Sequence, residues 1–129
     1  MTGRILGTGA YVPARTVENQ ELAKVVDTND AWIQERTGIA RRHLIEEETT
    51  SYMAAQAARE ALLQAGIAGE NVDLILVATS TPDTIFPCVA CEVQKEIGAA
   101  NSPGFDLNAA CSGSFCLSDS PGLYSGRAL

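Results

Sequence analysis

The sequence predicts an α/β fold, and three observations carry that expectation. Residues 72–79 (Val-Asp-Leu-Ile-Leu-Val-Ala-Thr) read as a continuous apolar run of strand length, the pattern of a parallel strand covered on both faces. Segments of helical periodicity precede and follow it, closed by Gly66 and Gly98. A second short strand pattern, with Phe105 and Leu107 alternating about Asp106, follows the later helix. Strand, helix, strand, helix, strand in this order implies right-handed crossovers onto a parallel or mixed sheet.

Residues 4–12 (Arg-Ile-Leu-Gly-Thr-Gly-Ala-Tyr-Val) read as a first strand in which Gly7 and Gly9 permit close backbone approach. Gly7-Thr8-Gly9 suggests a dinucleotide fingerprint, but the third glycine is missing at the required offset and Pro13 blocks a helix there, so that reading is rejected. Asn19 can cap a short helix running to Val26, with Glu21 in its first turn. A second helix is expected over residues 29–36, capped by Asp27 or Thr28 and stopped by Gly38. Residues 39–45 fit a strand whose apolar positions are interrupted by Arg41, Arg42 and His43.

Thr50 or Ser51 starts the clearest helix, with Met53, Ala54, Ala57, Ala58, Ala61, Leu62 and Ala65 at three- and four-residue spacings. Its alanine-rich stripe suits close packing against a sheet or another helix. After the loop at 79–87, Pro87 suits the first turn of a helix reaching Ile97. Beyond Gly113, Pro121 stops any continuing helix at about Ser118, and a core of three or four strands is left with a raw edge. The chain shows no repeat, low-complexity segment or linker, so one domain or part of one is expected.

Composition narrows the function classes. With 129 residues, 46% apolar and 19% charged, the chain is of the soluble globular class rather than disordered. A net charge of −7, with no basic cluster beyond Arg41-Arg42, argues against a nucleic-acid partner. No apolar run approaches the ~20 residues that span a bilayer. The N-terminus passes straight into a strand-like run without a signal-peptide core. No membrane association and a cytoplasmic location are therefore expected, with the four cysteines as reduced thiols rather than a disulfide framework.

Chemistry concentrates at residues 105–113, Phe-Asp-Leu-Asn-Ala-Ala-Cys-Ser-Gly. Small residues let the backbone turn sharply after a strand, and Cys111 at such a corner would meet the positive end of the next helix. That dipole and its free N–H groups favour thiolate, so the pattern fits an acyl-accepting cysteine. The competing reading is an inert buried thiol. A rival use of the cysteines is a metal-binding module. Cys88-Val89-Ala90-Cys91 is a Cys-x-x-Cys pair, Cys111 and Cys116 make a second, and four thiolates can hold zinc. The second spacing is wider than a usual knuckle and the first pair falls in an expected helix without flanking glycines, so no metal site is expected. A third reading is a non-catalytic interaction fragment.

Three blocks carry a family resemblance. Residues 27–39, Asp-Thr-Asn-Asp-Ala-Trp-Ile-Gln-Glu-Arg-Thr-Gly-Ile, are followed by Arg42-His43. Residues 77–83, Val-Ala-Thr-Ser-Thr-Pro-Asp, are followed by Phe86-Pro87, and residues 106–113 close the set. In order and spacing these resemble β-ketoacyl-acyl-carrier-protein synthase III, the initiating condensing enzyme of bacterial fatty-acid synthesis, continuously from residue 3 to about 113. The resemblance implies a thiolase-like layered α/β fold, of which this chain carries only most of the N-terminal half. Residues 105–113 would be the nucleophile corner and residues 114–129 an atypical end.

By position, the resemblance makes Cys111 the nucleophile that takes the acyl group from acyl-CoA. It puts Trp32 where a ring stacks on the CoA adenine, and Thr28 and Arg36 along the CoA site with Thr37 beside them. Phe86 falls where the family dimer reaches into the partner's acyl pocket. No cofactor is implied; acyl-CoA is the substrate, malonyl-acyl carrier protein the second partner, and a homodimer the assembly. The family completes its site with a His and an Asn from the second half of a chain more than twice this length. His43, the one histidine here, aligns with a structural strand position. The chain is therefore expected to be an N-terminal fragment, inactive alone.

Overall fold

In a computed structural model that describes residues 4–113, the chain divides into two units, residues 12–48 and the remainder. The smaller unit opens with strand β1 (Thr16–Glu18), which pairs antiparallel with β2 (Arg41–His43) in the register Thr16↔His43, Val17↔Arg42, Glu18↔Arg41. Between them lie α1 (Asn19–Leu22) and α2 (Asp30–Thr37). Val17 and Ile33 are its buried apolar residues. So small an apolar centre leaves much of the ordering to polar contacts, and these converge on Asn19, 1% exposed. Its Nδ2 donates to Asp30 Oδ1 at 2.8 Å and to the Ile39 carbonyl at 2.7 Å, while its Oδ1 accepts from Arg42 Nη2 at 3.0 Å.

Asn19 is thus a buried hub rather than the expected cap; Glu18 occupies the N-cap position, and α1 stops at Leu22 instead of Val26. The cap of α2 is Asn29, whose side chain accepts from the Trp32 N–H at 2.9 Å, in place of Asp27 or Thr28. Being one residue nearer the helix, Asn29 reaches the third helical N–H, the geometry a short acceptor needs.

The larger unit is built on α3 (Thr50–Ala65), β3 (Ile75–Ala78), α4 (Val89–Ile97) and β4 (Gly104–Leu107). The expected parallel pairing is present, with Ile75↔Gly104 through Ala78↔Leu107 in register and α4 as the crossover. Its core holds Ala55, Ile75, Val89, Ala90, Val93 and Ala99. Helices α2, α3 and α4 each end at a glycine with left-handed φ of 71°, 68° and 73°, the stops read from sequence. Pro87 does not open α4. It follows a cis Phe86–Pro87 bond, and Cys88 is the N-cap.

Residues 4–12 do not form the expected strand. The Thr8 N–H donates to Gln64 Oε1 at 2.6 Å and the Ala10 N–H to Glu60 Oε2 at 2.8 Å, so side chains of α3 take the donors a sheet neighbour would have used. This segment lies flush on the helix, where a Cβ at Gly7 or Gly9 would run into the Ala61 or Ala57 carbonyl oxygen. The alanine stripe accordingly splits. Ala57, Ala61 and Ala65 face residues 4–11, whereas Ala55, fully buried and absent from the predicted stripe, belongs to the core with Ala54 and Ala58 packed against it.

Candidate active site

β4 delivers Cys111 to the surface. After Leu107 the chain passes through Asn108 and Ala109 into a single 3-10 turn, Ala110–Ser112, in which Cys111 is exposed. The Ser112 N–H and Oγ both donate to the Ala109 carbonyl, at 3.0 and 2.7 Å. Ala110 has φ of 44°, a left-handed conformation that strains a residue carrying a Cβ by roughly 1–2 kcal/mol. That strain persists because the turn is held from both sides. Asn108 Oδ1 accepts from Ser80 Oγ at 3.2 Å, and a Cβ added at Gly113 would stand 2.7 Å from that of Ala78 at the end of β3. The sharp corner expected from the small residues is therefore present, and among the described residues the Cys111 thiol is exposed rather than buried. The helix expected to favour its thiolate, and Cys116, lie outside the described residues.

A residue that the sequence reading passed over fixes the corner's approach. The Asp106 carboxylate accepts from the N–H groups of Val89 at 2.9 Å and Ala90 at 2.8 Å, tying the start of α4 to β4 five residues before Cys111. The available signal was a carboxylate in the middle of a short apolar strand, which is tolerated when it finds donors. By the same contact Phe105 is turned to the more exposed side rather than into a buried strand face.

Thr28, Trp32, Arg36 and Thr37 all lie in the smaller unit, and Cys111 and Phe86 in the larger. Trp32 and Arg36 come together on one face of α2, the guanidinium carbon 5.5 Å from the ring centroid. Trp32 is 53% exposed and not a core residue. Thr28 is half-buried, and its Oγ1 is buried with no hydrogen-bond partner. The Thr37 hydroxyl is committed to the end of α2, donating to the Ile33 carbonyl at 2.7 Å and accepting from the Ile39 N–H at 3.1 Å. Phe86 stands 89% exposed in the loop before α4. His43 Nδ1 lies 2.6 Å from the Pro13 carbonyl, which can only accept, so the ring donates there and acts as a strand tether. Among the described residues no three metal-ligating side chains gather, although the Cys88 and Cys91 sulfurs lie 3.4 Å apart.

No family model matches the chain. The β-ketoacyl-[acyl-carrier-protein] synthase III of Granulibacter bethesdensis is 58% identical over 110 residues, 84% of this chain and 34% of that protein. The synthase III 1 of Bacillus anthracis is 54% identical over 110 residues, 84% of this chain and 36% of the relative. Among solved structures, 3-oxoacyl-[acyl-carrier-protein] synthase III from Aquifex aeolicus matches with a TM-score of 0.86 at 46% identity, covering 93% of this chain and 40% of that one. The priming β-ketosynthase of the R1128 polyketide pathway gives 0.85 at 39%, covering 91% and 36%. These relatives extend the motif resemblance across almost all of the described residues, and their thiolase-fold structures account for the α/β layering. The chain is thus a thiolase-fold relative of β-ketoacyl-[acyl-carrier-protein] synthase III, spanning about a third of the length of the curated relatives it matches.

Proposed function

We propose that this chain supplies the acyl-accepting corner of a β-ketoacyl-acyl-carrier-protein synthase III-type acyltransferase working in fatty-acid or polyketide synthesis. The carrying observation is the exposed Cys111 on a strained turn pinned to β3 and β4. Its thiolate attacks the carbonyl of an acyl-CoA, the CoA thiolate leaves, and the acyl group stays on sulfur. Malonyl-acyl carrier protein then loses carbon dioxide, and the resulting carbanion attacks the acyl group and releases Cys111. The enolate of that second step needs oxyanion donors, each typically worth ~10²–10³ in rate. In this reading they are a His and an Asn outside these 129 residues, and the chain by itself does not complete the condensation.

Trp32 and Arg36 present a flat ring and a guanidinium side by side, a pairing suited to a nucleotide base and a phosphate. Thr28 precedes α2 on the same stretch, its hydroxyl buried, and in this reading it shapes the CoA site rather than offering an exposed contact. Thr37 contributes by ending α2 rather than by its hydroxyl. The exposed Phe86 ring suits contact with a second subunit in a homodimer. No cofactor is required, because the thioester supplies its own leaving group. The synthase reading places the protein in the cytoplasm, acting on soluble thioesters; no helix of the described residues is long and apolar enough to cross a membrane.

The test places residues 4–113 into the corresponding third of the Granulibacter synthase and incubates the chimera with acetyl-CoA alone. Peptide mapping should find one acetyl group on Cys111, and Cys111→Ala should abolish it. Acetylation spread evenly over Cys88, Cys91 and Cys111 would defeat the assignment.

A further inference from the structure

A second thiol pair lies away from the Cys111 corner. Cys88 is the N-cap of α4 and Cys91 its third residue; both are free and half-buried, with sulfurs 3.4 Å apart. The Cys91 and Glu92 N–H groups both reach the Cys88 carbonyl, at 3.0 and 3.3 Å, so the intervening backbone is one closed turn. Residues three apart on such a turn share a face. The turn opens the crossover helix of the parallel β3–α4–β4 unit. A Cys-x-x-Cys at that point of a βαβ unit is the arrangement used for thiol–disulfide exchange. The acyl-transfer reading makes no use of it, and no third metal-ligating side chain joins it among the described residues.

We propose that Cys88 and Cys91 are an oxidisable dithiol that closes to an intramolecular disulfide by exchange with low-molecular-weight disulfides of the glutathione class. The proposal is independent of the acyl-transfer reading. The Cys88 thiolate attacks one sulfur of the small disulfide, whose S–S bond breaks and expels one thiolate, leaving a mixed disulfide on Cys88. Cys91 loses its proton and attacks the Cys88 sulfur, expelling the second small thiolate. The two cysteines give up two electrons and two protons, and the small disulfide is reduced to two thiols.

The order of attack follows from the surroundings. The hydrogen bond to Cys88, and after it burial, the charge on Cys88 and the Asp106 carboxylate, hold the Cys91 thiol above its usual range. Either sulfur can donate in their 3.4 Å contact; Cys88 attacks first because it occupies the N-cap position at the positive end of α4, whereas Cys91 lies inside the helix. The Asp106 carboxylate itself is engaged by the Val89 and Ala90 N–H groups, so the turn is held in place while the sulfurs close to the ~2.05 Å of a bond.

The folded 129-residue chain is treated with oxidised glutathione, quenched in acid, alkylated and mapped by mass spectrometry. The expected main product is a Cys88–Cys91 disulfide, with the mixed disulfide on Cys88 below about a tenth of it because the second step is intramolecular. Cys91→Ser should stop at glutathione on Cys88, and Cys88→Ser should leave Cys91 largely unmodified; circular-dichroism melts confirm that both variants fold. Wild-type chain in guanidinium should close the pair at least about tenfold more slowly, since the fold no longer gives the sulfurs their high effective concentration. The proposal is overturned if Cys88 and Cys91 stay free while Cys111 reacts, if the main disulfide joins either to Cys111 or Cys116, or if the denatured chain closes the pair as fast. The wild-type mapping decides by itself should the variants not fold.

Discussion

Asn19 holds three elements of the smaller unit with one amide group, and Asp30 is its ionisable partner. Hydrogen bonds from Gln34 and then Asn19 lower the Asp30 pKa from its ordinary 3.8 against the opposing effect of burial. A carboxyl whose folded pKa lies below its unfolded one stabilises above the unfolded value, and that contribution is lost as pH falls through the folded value. Residues 12–48 should therefore lose stability on acidification below 3.8, and Gln34→Ala should flatten that dependence. Urea titrations followed by Trp32 fluorescence at stepped pH measure this; a variant with the wild-type acid profile would contradict it. Trp32 gives a second expectation. Because the ring is half-exposed, Trp32→Ala should change stability by well under the ~3–5 kcal/mol of a core aromatic. In the chimera it should raise KM for acyl-CoA more than it lowers kcat, as for contacts made equally in ground and transition states. A large drop in melting temperature with unchanged KM would count against the nucleotide-facing assignment.

The larger unit depends on backbone approach between elements rather than on bulky side chains. Ala55, Ala90 and Ala99 are fully buried, and Gly7 and Gly9 let residues 4–11 lie against α3. A Cβ at Gly9 would collide with the Ala57 carbonyl and stand 2.6 Å from the Ala61 nitrogen, both rigid helix backbone. Gly9→Ala should accordingly destabilise by about 1–3 kcal/mol, the range of overpacking. Thermal melts should show the loss, and amide exchange should report release of the Ala10 N–H from Glu60. Unchanged melting would mean that this segment is not held on the helix. α3 is itself anchored from afar. Its Thr49 cap is joined by Asp83, 34 residues on, whose carboxylate accepts from the Thr50 and Ser51 N–H groups at 2.7 Å each. That contact ties the loop after β3 to the positive end of the helix.

Over the described residues, apolar surface is distributed unevenly. Ile85 and Phe86 stand out in one loop, and Ile5 and Leu63 are similarly uncovered. Among the described residues the parallel sheet has two strands, so β3 has one side without a strand partner. Contiguous apolar surface and open strand edges both favour association. The 129-residue chain should therefore self-associate, its sedimentation coefficient rising with concentration, and paired Ile85→Ser and Phe86→Ser substitutions should reduce the effect. A monodisperse, cooperatively melting monomer would run against this expectation.

The helix stops, the parallel strand pair, the sharp turn after β4 and the likeness to the synthase III relatives were all legible in the sequence. Each is a local pattern: Gly38, Gly66 and Gly98 end helices because only glycine enters the left-handed region without strain, and each motif block is a short run of consecutive residues. Where polar groups separated along the chain would meet depended on the folding of distant segments together. Asn19 reads as a helix cap until Ile39 and Arg42 are brought to it, Asp106 as a stray acid until α4 arrives, and residues 4–12 as a strand until Gln64 and Glu60 take their N–H groups. Hydrogen-bond partners at such separations leave no periodic trace in sequence, because the requirement is that a buried donor be satisfied, not by which residue.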